Sequence, residues 1–155
     1  MPFDRSQLKA PEARSAEESD TFINVGVVIN DRKEVLMVRR VKEEQGTDGS
    51  VLRWVFPGGK QRYAESREEC VKREVLAETG YAITPLRQIS LRSHPQFKLL
   101  FIAYHLCHLE HPEPVGELKE PHEIAEIRWV KHQEVEQLVT TNLDPNVKKE
   151  LGYLG

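Results

Sequence analysis

Residues 59–81 read GKQRYAESREECVKREVLAETGY, and this stretch decides how the whole chain is understood. Ser66 with Glu69 fits a capping box, in which the serine accepts from a backbone N–H of the first turn and the glutamate accepts one in return. Gly80 is placed to end the helix, because glycine takes the left-handed stop conformation without strain. The spacing therefore predicts a helix over 67–79. At 100° per residue, Glu74 and Glu78 share an arc with Cys70, Val71 and Val75, which should face the interior, while Glu69, Lys72 and Thr79 lie opposite. Two inward carboxylates four residues apart repel each other and are costly to bury alone. Positive charge should sit between this helix and whatever it packs on. Arg73 is one source, on the flank of the arc. A divalent cation is the better one, since carboxylate oxygens suit Mg²⁺ or Mn²⁺. An ordinary acidic surface helix is the plain alternative.

The wider spacing narrows this choice. Gly59, Glu65, Arg73, Glu74, Val75, Glu78 and Gly80 stand in register with a glycine, five residues, Glu, seven residues, Arg-Glu-aliphatic, and a closing Glu-x-Gly. The segment thus resembles the Nudix box. It departs from that box twice: Ala77 stands where the first glutamate of a Glu-Glu pair is expected, and Tyr81 replaces the final aliphatic residue. The loss at position 77 removes one possible metal ligand but leaves the pair Glu74 and Glu78.

Composition sets outer bounds. The chain has 155 residues, enough for one domain with a real core, with 30% charged residues, 39% hydrophobic residues and a net charge of −3. That balance excludes a basic protein that coats nucleic acid. No apolar run approaches the roughly 20 residues needed to span a bilayer. Residues 1–20 lack an apolar stretch, are not a secretory signal, and read as a mobile polar arm before a single domain over 21–155. The two cysteines, Cys70 and Cys107, lie in apolar segments and read as buried free thiols of a cytoplasmic protein.

Along the chain, 21–30 and 34–40 read as a strand pair about a turn at Asp31-Arg32-Lys33. Residues 41–51 read as a polar loop, 53–56 as a short strand, and Pro57-Gly58-Gly59 as a turn. Beyond the helix, 82–92 and 96–106 suggest another strand pair, and 107–122, with three prolines, a loop. A strand over 126–130 and a short helix over 132–139 follow. Asp144 as N-cap and Pro145 at the first position start a last helix to about Leu151. Propensity alone gives a mixed α/β domain. The resemblance, covering roughly 25–139, implies an α/β/α sandwich with a central mixed β-sheet.

The resemblance also implies an activity: hydrolysis of the phosphoanhydride in a nucleoside diphosphate linked to another moiety, in the nucleotide or nucleotide-sugar class. It implies Glu74 and Glu78 as ligands of Mg²⁺, with Mn²⁺ as a substitute, and Arg73 as the residue that orients them through Glu65. Gly58 and Gly59 would let metal or phosphate approach the backbone, or simply form a turn. Arg39 and Arg40 end a strand where they could meet substrate phosphate or merely solvent. Glu123 is the preferred general base among Glu117, Glu120, Glu123 and Glu126, which lie in or beside the loop before Trp129. Trp54, Phe97, Tyr104 and Trp129 could stack on a base, although core packing is the default in strands. His105, His108 and His111, spaced by three, share no strand face and read as incidental. Pro95 follows Gly80 by fifteen residues, a placement the resemblance links weakly to ADP-ribose. The expected partner is a small nucleotide, with no membrane and no nucleic acid, and the chain should be a monomer or homodimer. The rival reading is a nucleotide-binding sensor with little turnover, for which Ala77 is the main support.

Overall fold

The computed structural model describes residues 21–45, 51–94, 97, 99–119, 121–139 and 143–155, with side chains left aside at 43–45 and 51–53. The expected N-terminal arm, Pro95 and Glu120 lie outside the described residues. The elements run β1 (Phe22–Ile29), β2 (Glu34–Gln45), β3 (Val51–Val55), β4 (Gly58–Lys60), α1 (Arg67–Thr79), β5 (Ile83–Ser93), β6 (Phe101–Leu109), β7 (Ile124–Lys131), a 3₁₀ turn (His132–Glu134), α2 (Val135–Val139) and α3 (Pro145–Gly152).

The sheet is mixed, in the order β3-β2-β1-β6-β5, with β4 also pairing β1 and β7 also pairing β2. The β1–β6 pair is parallel, from Phe22↔Phe101 to Ile29↔His108, and the remaining pairs are antiparallel. β1 and β2 join at Ile29↔Val35 and then part, so the expected hairpin exists only near its tip. Beyond that point β4 takes the side of β1, and β7 and β3 take the two sides of β2.

Alternation along β1 builds two cores. Val27 packs with Met37, Trp54, Phe56 and Tyr104 against Val135 of α2 and Val147 of α3. Val28, next in sequence, packs with Leu36 and Ile83 against Val71 and Val75 of α1. The sheet therefore lies between α1 and the α2–α3 pair, the three-layer arrangement expected. Cys70 and Cys107 are both buried free thiols, and burial pushes each up to about 12. No helix among the described residues is long and apolar enough to cross a membrane.

Several boundaries differ from the sequence expectation. β2 continues to Gln45 and β3 starts at Val51, so the described residues of the polar stretch at 41–51 are strand. Its lysine and glutamates look loop-like, but pairing across Glu44↔Leu52 and Gln45↔Val51 holds it extended. Pro57-Gly58-Gly59 does not simply turn, because Gly58–Lys60 pairs with Val25, Asn24 and Ile23. The strand expected at 96–106 begins at Phe101, and the one expected at 126–130 runs from Ile124 to Lys131.

Candidate active site

Helix α1 is set by its own ends. Ser66 Oγ accepts from Glu69 N at 3.0 Å, Glu69 Oε1 accepts from Ser66 N at 2.9 Å, and Gly80 closes the helix at φ 80°. This frame presents Glu74 and Glu78 to β4. The two glycines there permit an approach that no side chain would allow. A Cβ on Gly59 would lie 2.6–2.8 Å from the Glu74 carboxyl atoms, and one on Gly58 would lie 2.2 Å from Asn24 O.

The charge between helix and sheet comes from two guanidiniums. Glu78, only 6% exposed, accepts from Arg40 Nη1 at 2.5 Å and Nη2 at 3.2 Å, and from Gly58 N at 2.9 Å. Arg40 Nη2 also donates to Gly58 O at 3.0 Å. Burial pushes the Glu78 carboxyl above its ordinary 4.5, opposed by the Arg40 charge and the Gly58 N–H. Arg73 takes Glu74 Oε1 at 2.6 Å and clamps Glu65 twice, Nε to Oε2 at 2.6 Å and Nη2 to Oε1 at 3.0 Å. Burial of Glu65 raises its pKa, but the Arg73 hydrogen bond, the Arg62 N–H and the Arg73 charge outweigh it and hold the carboxyl below 4.5. Those same bonds, led by that to Glu65, push Arg73 further up.

The expected residues therefore divide. Glu65, Arg73, Glu74, Glu78, Gly58, Gly59 and Arg40 come together around β4 and the inner face of α1. Arg39 does not join them; its partner is Glu126, 3.5 Å away on β7. Successive residues of a strand point to opposite faces, so only one of the two arginines could reach α1. Glu123 lies at the margin: its backbone O accepts from Val41 N at 2.9 Å, next to Arg40, and its side chain is half exposed. Glu117 is exposed, and Glu126 is held by Arg128 as well as Arg39.

On the other face of β4 lies a cavity of about 260 Å³. Trp54, Phe56, Tyr104 and Ile102 wall it, with His94, and Arg40, Gly58, Gly59 and Lys60 line it too. Trp54 and Tyr104 are thus core residues whose rings also face the cavity. The Arg128 guanidinium sits 4.5 Å from the centre of the Trp54 ring. Phe97 is exposed beside His94, and Trp129 donates to Tyr81 Oη at 3.0 Å. That bond gives the unusual Tyr81 a place in the fold.

Among the described residues, no three His, Cys, Asp or Glu side chains are grouped to hold a metal ion. Two carboxylates converging on bare glycine backbone still fit Mg²⁺, which ordinarily takes one or two carboxylates and completes its shell with water and substrate phosphate. Three carboxylates, Glu65, Glu74 and Glu78, face two guanidiniums, Arg40 and Arg73, which leaves net negative charge for a cation.

Sequence reasoning missed a buried polar group beneath α1. His105, expected to be incidental, has its Nε2 2.9 Å from Asn24 Oδ1, and Asn24 Nδ2 donates to Gln61 Oε1 at 2.9 Å. The signal was available at Asn24, which lies in phase with Gly26 and Val28 on a buried strand face. A polar side chain there needs partners.

The chain is similar to known proteins. The family model of the NUDIX domain matches residues 20–151. A Bacillus subtilis (strain 168) protein provisionally named an 8-oxo-dGTP diphosphatase is 33% identical over 72 residues, 46% of this chain and 43% of the relative. The match thus spans less than half of that protein. A NUDIX hydrolase structure from Nitrosomonas europaea aligns with a TM-score of 0.64 at 18% identity, covering 88% of this chain and 90% of the other. An ADP-ribose pyrophosphatase structure from Streptococcus suis 89-1591 aligns at 0.61 and 18%, covering 86% and 90%. At such identities the structural matches establish the fold.

Proposed function

The chain belongs to the NUDIX domain family, and from that membership we propose that it is a metal-dependent hydrolase that splits the phosphoanhydride of a nucleoside diphosphate linked to a further group. One observation carries the reading: Glu74 and Glu78 meet Gly58 and Gly59 on one side, while the same glycines line an aromatic-walled cavity on the other.

Glu74 and Glu78 hold Mg²⁺, or Mn²⁺ in its place, through hard carboxylate oxygens. When bound, the ion neutralises and polarises the diphosphate oxygens. Glu65 clamps Arg73, and Arg73 fixes the rotamer of Glu74. Arg40 and Lys60, both at the cavity, offer positive charge to phosphate as charge builds on the leaving group. Glu123, at the margin of the site, takes the proton of the attacking water. Trp54, Phe56 and Tyr104 receive a base by apolar and stacking contact. Arg39 stays outside this arrangement through its pairing with Glu126.

A volume of about 260 Å³ lies just below the roughly 300–1,000 Å³ of ligand pockets and suits one nucleoside better than two. Oxidised nucleoside triphosphates, as in the name of the Bacillus relative, and ADP-ribose, as in the Streptococcus neighbour, both satisfy the chemistry. A second reading, a nucleotide sensor, draws on Ala77 and on the two guanidiniums that already occupy the carboxylates. A phosphate-release screen with Mg²⁺ over nucleoside diphosphate and triphosphate derivatives, with alkaline phosphatase added to free phosphate from mononucleotide products, separates them. Turnover abolished by EDTA supports the hydrolase; binding without turnover on any substrate, with Mg²⁺ or Mn²⁺, supports the sensor.

A further inference from the structure

We propose that Asn24, Gln61 and His105 are positioning residues, a buried chain of hydrogen bonds that fixes Glu65 and thereby sets the Arg73–Glu74 pair. All three are almost wholly buried, at 0%, 2% and 1% exposure. They lie beside the layer where α1 meets the sheet, which includes Val28, Val71 and Val75. Apolar side chains would fill that layer without any need for partners. A fully satisfied polar chain instead specifies one arrangement of the groups it joins.

The polarity of the chain is determined from one end. Gln61 Nε2 donates to Glu65 O at 2.8 Å, and a carbonyl can only accept. Gln61 must therefore turn Oε1 toward Asn24, which must present Nδ2, at 2.9 Å. Asn24 Oδ1 then faces His105, which must present Nε2–H, at 2.9 Å. One carbonyl thus dictates two amide orientations and one imidazole tautomer, and every member of the chain is used.

The chain leads to the connection that carries Glu65, a turn in which Glu65 N donates to Arg62 O at 3.2 Å and Arg62 N donates to Glu65 Oε1 at 3.0 Å. Residues 61–66 connect β4 to α1, and Ala64 within them sits at φ 63°, a region that favours glycine. Gln61 anchors this segment to β1 by its backbone as well, donating from N to Phe22 O at 3.0 Å. The side chain of the residue so placed, Glu65, takes Arg73 at two points, and Arg73 takes Glu74. Strand β6 is in this way coupled to a proposed ligand on α1 through side chains that touch neither metal nor substrate.

The inference rests on the reading of Glu74 and Glu78 as cation ligands, and its test distinguishes the two failures. Mn²⁺ binding is followed by the EPR signal of the free ion, with no nucleotide present. In Gln61→Met the dissociation constant should rise roughly tenfold or more, as is typical when groups that orient metal ligands are removed. Val147→Ala, a core change on α3, should lower Tm and leave Mn²⁺ affinity unchanged. Should Gln61→Met not fold, the triple variant Asn24→Leu, Gln61→Met, His105→Leu decides, because replacing all three side chains by apolar groups of similar shape leaves only the Glu65 carbonyl at the end of the chain without its donor. A wild-type dissociation constant in the variant that folds, with Glu78→Gln weakened, overturns the positioning role alone. So does equal weakening in Val147→Ala. Wild-type protein without Mn²⁺ affinity, or Glu78→Gln with full affinity, overturns the metal reading and the positioning role with it.

Discussion

Gly58 and Gly59 are adjacent and both lack room for a side chain, yet their alanine variants should fail in different ways. A Cβ at position 58 would lie 2.2 Å from Asn24 O and 2.6 Å from Val25 Cα, so the obstacle is the backbone of β1. The strand must separate, and the cost belongs at the upper end of overpacking, about 3 kcal/mol. For a chain of this size that lowers Tm by roughly 6–12 °C. At position 59 the obstacle is the tip of a side chain: Glu74 Cδ at 2.6 Å, with its oxygens at 2.7 and 2.8 Å. Ordinary contact begins at 3.4 Å, so the carboxylate must retreat by about 0.8 Å, a rotamer change costing about 1 kcal/mol. Misplacing a reacting group by about 1 Å is worth roughly 100-fold in rate, so kcat/KM should fall by roughly 10- to 100-fold. Differential scanning calorimetry and Mg²⁺-dependent turnover on the best substrate of the screen measure the two effects. Equal Tm losses in the two variants, or wild-type turnover in Gly59→Ala, would refute the assignment of Gly59 to the Glu74 carboxylate.

Other outcomes follow from the same geometry. Arg40→Ala leaves the buried Glu78 with Gly58 N as its remaining donor and should cost about 3 kcal/mol; Glu78→Ala added to it should recover part of the loss in thermal melts, and an unchanged Tm in Arg40→Ala would contradict the pairing. Glu65 has its pKa held below 4.5, so the stability it contributes is complete above pH 4.5 and disappears as pH falls through the lower folded value. The stability gap between wild type and Glu65→Gln, read by urea melts, should therefore be full at neutral pH and close in acid; a gap that widens in acid would reverse the sign. Cys70 and Cys107 are buried with thiols pushed up to about 12, so iodoacetamide at pH 8 should leave both unmodified in the native state and alkylate both in urea, as counted by mass spectrometry.

What could be read in the sequence was local. The helix at 67–79 was fixed by a capping box and a left-handed glycine, both made by residues within it or beside it, and its bounds match the structure. Asp144 as the cap of α3 was legible for the same reason. What escaped reading depends on partners distant in sequence. β4 is three residues, two of them glycine, and carries no β-branched signal; it is a strand because β1 lies beside it. Arg40 reaches Glu78, 38 residues away, only because β2 and α1 meet at β4. His105 looked incidental because its spacing from His108 suits no strand face, while its true partner was Asn24, 81 residues earlier. The repulsion between Glu74 and Glu78 did foretell positive charge at the helix–sheet junction. Two arginines supply it here, and the proposed cation would join them.

On the proposed function, Glu74 and Glu78 serve phosphoanhydride hydrolysis through a bound divalent cation. The Mg²⁺ dependence of nucleotide turnover in wild type and in Glu78→Gln, with Tm recorded for both, decides this. Wild type should show saturable Mg²⁺ activation, and the folded variant a kcat lower by roughly 100-fold or more. Turnover in folded Glu78→Gln that equals the wild type, or wild-type turnover untouched by EDTA, would contradict it.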